Sequence, residues 1–419
     1  MRVWTVNQHA YTPDQSAGVR HYSLARELIG RGHDALVIAT SFYHKAHVET
    51  QLGADEEWRL DDIHGVPFLW IKTPPYRGNT IGRLRNMVAF TAHVWRRTGL
   101  ADRPPPDVII GSSPHLFAAL AAERLAHHYG VPFVFETRDL WPRRLVETGS
   151  LSPRNPLAVI MAVVERYLYR RADHILSAVP VSTAGLPELA KHITERGASM
   201  DDVTWLPNGV DVGEPPAAPG GGVPTFLYAG AHSRYADLDL VLDAAGILKA
   251  RGASDTLRIR LLGDGPEKAR LVQRAVDEGL DFVRFDASVP KSEIRTVLDD
   301  ADVCLMTCED GGTARWATSP NKLFEYLAAG RPVLYSLGTT YSPVEQADAG
   351  ASIDPNDPAA MADAMQRLAA MGPAERRRLG SNGRRYVEDR HSYAELGAKL
   401  ESTLQSVVGA SKSSTAAHS

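Results

Sequence analysis

Short apolar runs rich in β-branched residues alternate with longer stretches of helical periodicity along nearly the whole chain, and no other feature narrows the fold as sharply. The runs Val3–Val6, Ala35–Ala39, Phe68–Ile71, Val108–Gly111, Phe133–Glu136 and His174–Ala178 lack polar alternation, so they suit strands buried on both faces. Helical patterns such as Gly18–Arg31 and Leu116–His128 separate them. This alternation predicts a parallel sheet covered by helices. The segment Val212–Pro224, VGEPPAAPGGGVP, interrupts it and reads as an interdomain linker. The pattern then restarts, with strands expected at Thr225–Tyr228, Leu257–Leu262, Val283–Phe285, Val303–Met306 and Pro332–Tyr335. Helices are expected at Leu238–Arg251, Glu267–Glu278, Ser292–Ala301, Asn321–Ala329 and Ala359–Ala370. Two doubly wound α/β halves follow, ending in a small polar tail, SKSSTAAHS from Ser411, expected to be disordered.

The composition suits that reading. Hydrophobic residues make up 44% and charged residues 23% of 419, a globular balance with enough chain for two domains. The 46 Lys and Arg face 50 Asp and Glu, a formal charge of -4, so nothing global points to nucleic acid as a partner. Cys304 and Cys308 cannot build a disulfide framework and point to a reducing cytoplasm. With no His or Cys ligands nearby they read as small half-buried residues. The opening MRVWTVNQHAY places polar residues where a signal peptide needs its apolar core. The apolar run Leu157–Val164 stops at Glu165, short of the ~18–20 residues of a membrane span. A soluble protein able to touch a membrane surface is the expectation.

In open parallel sheets, ligands bind beyond the carboxyl ends of the strands, so the strand-to-helix turns should carry the chemistry. The richest segment is Gly311–Leu334, GGTARWATSPNKLFEYLAAGRPVL. Ser319 reads as a helix N-cap and Pro320 as the first helical residue. Lys322 then falls in the first turn, where a cation meets the positive end of the helix dipole at a cost of roughly 0.3–1 kcal/mol. An anion at that end reverses the sign, because backbone amides and the ammonium converge on it. A solvated surface lysine is the competing reading. Glu325, set among Leu323, Phe324, Tyr326 and Leu327, points either at solvent or at a hydroxyl-rich ligand. The turn Gly263-Asp264-Gly265-Pro266-Glu267 has the layout of a nucleotide-contacting loop, although many α/β turns look alike for packing reasons. Gly230-Ala231-His232-Ser233-Arg234 brings a guanidinium to the same edge, and its fork suits phosphate oxygens. Together these turns predict a sugar-nucleotide diphosphate site.

At this point a resemblance carries further. LLGDGPEKARL, VPKSEIRTVLDDADVCLM and SPNKLFEYLAAGRPVL resemble the donor domain of family-4 retaining glycosyltransferases of the GT-B fold. SAGVRHYSLARELIGRGHDALVIAT, PPDVIIGSSP, PFVFETRDLWP and WLPNGVD stand in the order expected of the N-terminal half, so the resemblance covers about residues 1–405. RDLWP and SPNKLFEYLAAGRP are most similar to the bacterial cell-surface polysaccharide subgroup that includes the N-acetyl-fucosamine transferase of O-antigen assembly. The resemblance implies two facing Rossmann-like domains with a cleft between them. Residues 1–212 would bind acceptor and 213–392 the nucleotide-sugar, a helix over about 393–410 would return to the first domain, and 411–419 would be the tail. By the same resemblance Glu325 grips the ribose, while Asn321, Lys322 and Leu323 form the loop whose backbone binds the diphosphate. Gly18 lies in the glycine loop that approaches donor phosphate and sugar, and Gly263, Asp264 and Gly265 lie close to the nucleotide. Gly230 and Arg234 complete the expected donor set with Ser319 and Pro320.

Three departures stand out. Ala317 occupies the position of the first glutamate of the family's E-x7-E motif, Ala231 and Ala236 fall near its Arg and Lys positions, and Arg138, beside Asp139, replaces a frequent histidine. Departure of a nucleoside diphosphate needs fixed positive charge. Lys322 and Arg234 would supply it, with Arg138 and Asp139 orienting sugar or acceptor; a structural Arg138–Asp139 ion pair is the competing reading. No D-x-D cluster ends a strand, so transfer is expected to need no metal or other cofactor. A UDP-linked, N-acetylated or deoxy hexose donor follows from the subgroup likeness, as does a glycan or lipid-linked acceptor. From Ile63 through Ala101 the chain carries no Asp or Glu, yet holds Lys72, Arg77, Arg83, Arg85, Arg96 and Arg97. Ile81, Leu84, Met87, Val88, Thr91, Val94 and Trp95 follow helical spacing within it. Arg83, Arg85 and Trp95 then mark an expected acceptor or peripheral membrane contact at the inner face of the plasma membrane; a core helix with a solvated Arg face is the alternative. A GT-B epimerase or phosphorylase, a transferase that tailors a small molecule, and a sugar-nucleotide binding protein with little or no transferase activity stay open at this level.

Overall fold

The computed structural model describes all residues except 16–17, 79–80, 181–186, 215–221, 310, 312–319, 339–340 and 418–419. Strands β1 (Arg2–Val6) and β2 (Asp34–Thr40) precede a small hairpin of β3 (Phe42–Tyr43) and β4 (Val48–Glu49). β5 (Trp58–Ile63), β6 (Val66–Ile71), β7 (Val108–Ser112), β8 (Phe133–Thr137), β9 (His174–Ser177) and β10 (Val203–Trp205) follow. They form one sheet in the order β10-β9-β8-β7-β1-β2-β6-β5, parallel except for β5 against β6. The second sheet is wholly parallel. Its strands are β11 (Thr225–Ala229), β12 (Arg258–Leu262), β13 (Val283–Asp286), β14 (Val303–Thr307), β15 (Val333–Ser336) and β16 (Gly350–Ile353), in the order β13-β12-β11-β14-β15-β16. The order reverses between β1 and β7 in the first sheet and between β11 and β14 in the second, and ligands gather at such switch points.

The apolar runs became strands because they are buried on both faces, with side chains alternating between two cores. In β11, Phe226 and Tyr228 join a cluster with Leu238, Val241, Leu242 and Met365, while Leu227 and Ala229 join Cys304, Leu323 and Tyr326 on the opposite face. Both cysteines are buried there.

The chain divides into two compact units, Met1–Pro207 with Leu396–Ser419, and Asn208–Glu395. The first boundary therefore precedes the Pro/Gly-rich segment, and the front of that segment is no free linker. Arg384 donates to the carbonyls of Val212 (3.4 Å), Gly213 (2.6 Å), Glu214 (3.2 Å) and Ala328 (2.8 Å), and Arg295 donates to Val212 (3.1 Å) and Glu214. The tail also differs from its expectation, because the last helix runs Tyr393–Ala417. Leu396, Leu400, Leu404 and Val408 are buried at four-residue spacing. Once that stretch is docked, adding turns through Ser and Ala is cheap, since nucleation is the costly step. Within the first unit this helix lies close to the helix Arg20–Gly30, and Glu401 meets His33 at 2.7 Å.

Candidate functional site

The turns after β11 and β12 are interlocked through their backbones. Gly230 N donates to Leu262 O (2.9 Å), His232 N to Asp264 O (2.8 Å) and Glu267 N to His232 O (3.0 Å). Gly263 and Gly265 take φ of 144° and 158°, and a Cβ on either would overlap the backbone of Gly230 or His232. The packing reading of this turn thus holds for its glycines, whatever ligand approaches. Lys268 fastens the turn from below, donating to Gly263 O (2.7 Å) and Asp286 O (2.9 Å). The Asp264 side chain is 69% exposed.

The helix bearing the richest motif is Asn321–Ala328. Pro320, with ψ of 120°, is its cap residue rather than its first helical residue, and Ser319, expected to be the N-cap, lies outside the described residues with Ala317 and Gly312. Tyr326 binds the helix to the end of β11: its hydroxyl accepts from Ala229 N (2.9 Å) and donates to Ala229 O (3.1 Å). Leu323 is fully buried, so only its backbone can face a ligand, whereas Asn321 is exposed.

Lys322 lies across Gly230, where any side chain would collide with its Nζ. That Nζ donates to Tyr228 Oη (2.7 Å) and sits 4.3 Å from the Tyr228 ring centroid, while the Tyr228 hydroxyl donates onward to Ala231 O (2.9 Å). Burial pushes the ammonium down to about 8, against the opposing effects of Cys308 and Glu325. Burial also raises the Tyr228 phenol, which stays protonated. The result is a desolvated cation on a neutral hydroxyl beside two interlocked turns, an arrangement that gains from an anion.

The other expected residues of this edge are placed differently. The Arg234 side chain is 86% exposed and meets Glu309 at 3.4 Å. Glu325 is ion-paired with Lys291, from the short turn Lys291–Glu293. That contact joins residues 34 apart in the chain and was not anticipated. Tyr228 was also missed, although a tyrosine ending a buried strand just before a glycine turn is a visible signal.

In the first unit, Gly18 is exposed just ahead of the helix Arg20–Gly30. The amides of Arg138 and Asp139 both donate to Ser113 Oγ (2.8 and 3.4 Å). Asp139 pairs with Arg144 (3.2 Å), not with Arg138, whose Nε is buried without a hydrogen-bond partner. Beneath them lies a network that sequence reasoning passed over. Glu136, at the end of β8, takes Arg20 Nε (2.8 Å), His21 Nε2 (2.8 Å) and Ser112 Oγ (2.5 Å), and Arg20 also donates to Leu206 O (2.8 Å) and Pro207 O. Burial alone would raise the Glu136 carboxyl, but Arg20 and His21 outweigh it and hold it well below the carboxylate range. A glutamate closing an apolar strand, FVFE, was the signal.

The expected membrane trio also separates. In the helix Ile81–Trp95, Met87, Phe90 and Val94 are buried, while Ile81, Leu84, Val88 and Trp95 are exposed along with Arg85. Arg83 instead is half-buried, with its guanidinium 5.7 Å from the Trp141 ring centroid.

Comparison with known proteins agrees with this architecture. Residues 17–209 match the family model described as glycosyl transferase 4-like domain, and residues 223–371 match glycosyl transferases group 1. The chain belongs to the family-4 glycosyltransferases. A putative colanic acid biosynthesis glycosyltransferase of Escherichia coli is 31% identical over 175 residues, 41% of this chain and 42% of that protein. The match therefore spans about two fifths of the relative's length. The sucrose-phosphate synthase of Thermosynechococcus elongatus superposes with a TM-score of 0.70 at 16% identity, over 98% of this chain and 99% of that one. The Anabaena protein HepE, in complex with UDP and glucose, does so with a TM-score of 0.64 at 16% identity, over 97% and 100%. These likenesses establish the GT-B fold for this glycosyltransferase-family chain, and with it two Rossmann-like domains. Within the second of them, Lys322, Gly230 and the turn 263–265 come together, whereas Arg234 and Glu325 are engaged by Glu309 and Lys291.

Proposed function

We propose that this protein is a retaining glycosyltransferase that moves an N-acetylated or deoxy hexose from a UDP-sugar to a glycan or lipid-linked acceptor in bacterial surface polysaccharide assembly. The observation that carries the reading is Lys322: a half-buried lysine whose ammonium rests on Tyr228, at a sheet switch point and a helix start. The UDP seen with HepE and the polysaccharide role in the name of the Escherichia coli relative support the donor base and the acceptor class. In the transfer, the bond between the sugar anomeric carbon and the β-phosphate oxygen breaks with its electron pair on the phosphate. The acceptor hydroxyl bonds to that carbon from the same face, and its proton passes to the departing phosphate. No second carboxylate is then required. Lys322 and the first-turn amides stabilise the charge growing on the diphosphate, so no metal is assigned. The test is incubation of the full chain with a panel of nucleotide-sugars and a lipid-linked acceptor, followed by mass and proton spectra of the product. One sugar gained with unchanged anomeric configuration is expected, and the proposal fails if no donor releases its nucleotide.

The acceptor reading places the first unit against an anionic lipid surface. The helix Leu116–Tyr129 packs against both Ile81–Trp95 and Pro156–Arg171. The outer sides of those two neighbours expose Ile81, Leu84, Val88 and Trp95, and Val159, Ile160 and Val163. Arg85, Arg96, Arg97, Arg166 and Arg170 are exposed around them, and Glu165 is turned inward onto His192 and Arg196. Apolar side chains rimmed by cations suit anionic lipid. No helix among the described residues is long and apolar enough to cross a membrane. Arg85→Glu combined with Val88→Asp should lower sedimentation with phosphatidylglycerol vesicles by roughly tenfold or more. Equal sedimentation of variant and parent would refute the contact.

A further inference from the structure

A second group of side chains gathers within the first unit, at the carboxyl edge of its sheet. His9 follows β1, His44 belongs to the β3–β4 hairpin, Tyr76 follows β6, His115 caps the helix after β7 and Arg138 follows β8. Arg83 reaches in from the helix Ile81–Trp95. The rings of His9 and His44 stand 5.2 Å apart, and Tyr76 Oη is hydrogen-bonded to His44 Nδ1. Arg83 acts electrostatically on His9, His44 and His115, and Arg138 acts on His9.

These groups offer more donors than the protein answers. His115 is 2% exposed, yet neither of its ring nitrogens has a hydrogen-bond partner; His9 Nδ1 and Arg138 Nε are likewise buried without one. Such atoms are costly unless something fills the space between them. Among the described residues, no carboxylate is among the charges acting on His9, His44 or His115. The nearby acids are engaged: Glu136 by Arg20 and His21, and Asp139 by Arg144. Burial holds His9 down to about 3 and His44 to about 4, so at neutral pH each imidazole keeps one N–H and one lone pair.

We propose that this cluster in the first unit binds a phosphate or pyrophosphate group carried by the acceptor. Donors arriving from separate elements can surround a tetrahedral anion, whereas a planar carboxylate offers oxygens in one plane only. The guanidiniums match phosphate oxygens, and the lone pairs of the neutral imidazoles accept from sugar hydroxyls beside it. The proposal rests on the transferase reading only in naming the ligand as the acceptor.

The test is calorimetric titration of the full chain, saturated with UDP, with inorganic pyrophosphate. Pyrophosphate is expected to bind the UDP-saturated protein, to bind Arg138→Gln and His115→Phe about tenfold or more weakly, and to recover in Arg138→Lys. Thermal unfolding identifies a variant that fails to fold, and the conservative Arg138→Lys keeps the comparison decisive. Unchanged affinity in Arg138→Gln overturns the site. Loss of all pyrophosphate binding once UDP is saturating overturns the acceptor assignment, since the anion would then be the donor's own diphosphate. Absence of UDP binding would count against the donor reading alone, and the pyrophosphate titration is read all the same.

Discussion

Replacement of Lys322 by alanine should weaken UDP binding by roughly 30- to 1,000-fold while leaving the unliganded protein at least as stable. The affinity loss corresponds to about 2–4 kcal/mol, the usual consequence of deleting one preorganised donor to a developing or bound anion in a desolvated site. The stability expectation has a separate cause. Burial disfavours the charged ammonium in the empty protein, and Tyr228 offers it a neutral oxygen rather than a carboxylate. Removing the cation therefore removes an unfavourable burial. A structural lysine would behave in the opposite way. The pH dependence follows from the same burial. Folding holds Lys322 at about 8, below the ~10.4 of a free lysine, and a bound diphosphate favours the charged form and raises the value. Affinity should accordingly be flat from pH 6.5 to 7.5 and fall as pH rises through 8, by up to about tenfold per unit. Lys322→Arg, charged throughout, should lose that decline. Calorimetry at pH 7.0, 8.0 and 9.0 decides the matter: an alanine variant within twofold of the parent, or a flat parent profile, would refute the assignment.

The second large effect concerns folding. Glu136→Gln should destabilise the protein by about 3–5 kcal/mol, because it leaves the Arg20 guanidinium buried without its counter-charge. Both side chains are 2% exposed and stand 2.8 Å apart. The loss should be read by urea unfolding with a probe in the first unit, since a chain of two units need not unfold in one step. Folding holds the Glu136 carboxyl well below its ordinary range. Its contribution is therefore complete above the unfolded value of about 4.3 and is lost as pH falls toward the folded one, so the variant's acid limb should be shallower. The double variant Arg20→Met with Glu136→Gln should recover much of the stability, because two uncharged groups replace one stranded charge. A single variant within 1 kcal/mol of the parent would show that the network is ornamental to the fold.

Alternation alone made both parallel sheets legible, because buried strands such as Phe133–Thr137 carry their signal in a few consecutive apolar residues. β5 escaped notice for the opposite reason: WRLDDI lies at an antiparallel edge, where Trp58, Leu60 and Asp62 are exposed and Arg59 and Asp61 are only half-buried. Lys322 was legible because its oddity is local, a cation at a helix start. The fates of Glu325 and Asp139 were not, because Lys291 and Arg144 reach them through packing that no short segment encodes. The Glu136 network joins residues near positions 20, 112, 136 and 206, and only the assembled sheet edge brings them together. The apolar spacing of Ile81–Trp95 held two messages, one for each side of the helix, and periodicity could not say where to divide them.

The backbone lock between the turns at 230–232 and 263–267 has a consequence for redesign. Under the transferase reading, donor preference is a tempting target for loop transplantation, and each turn alone looks short enough to exchange. A transplant that changes the path of one turn would leave the other with unanswered amides and carbonyls and, at Gly263 or Gly265, with overlapping atoms. The two turns are in effect one exchangeable cassette, with Lys268 as its third member.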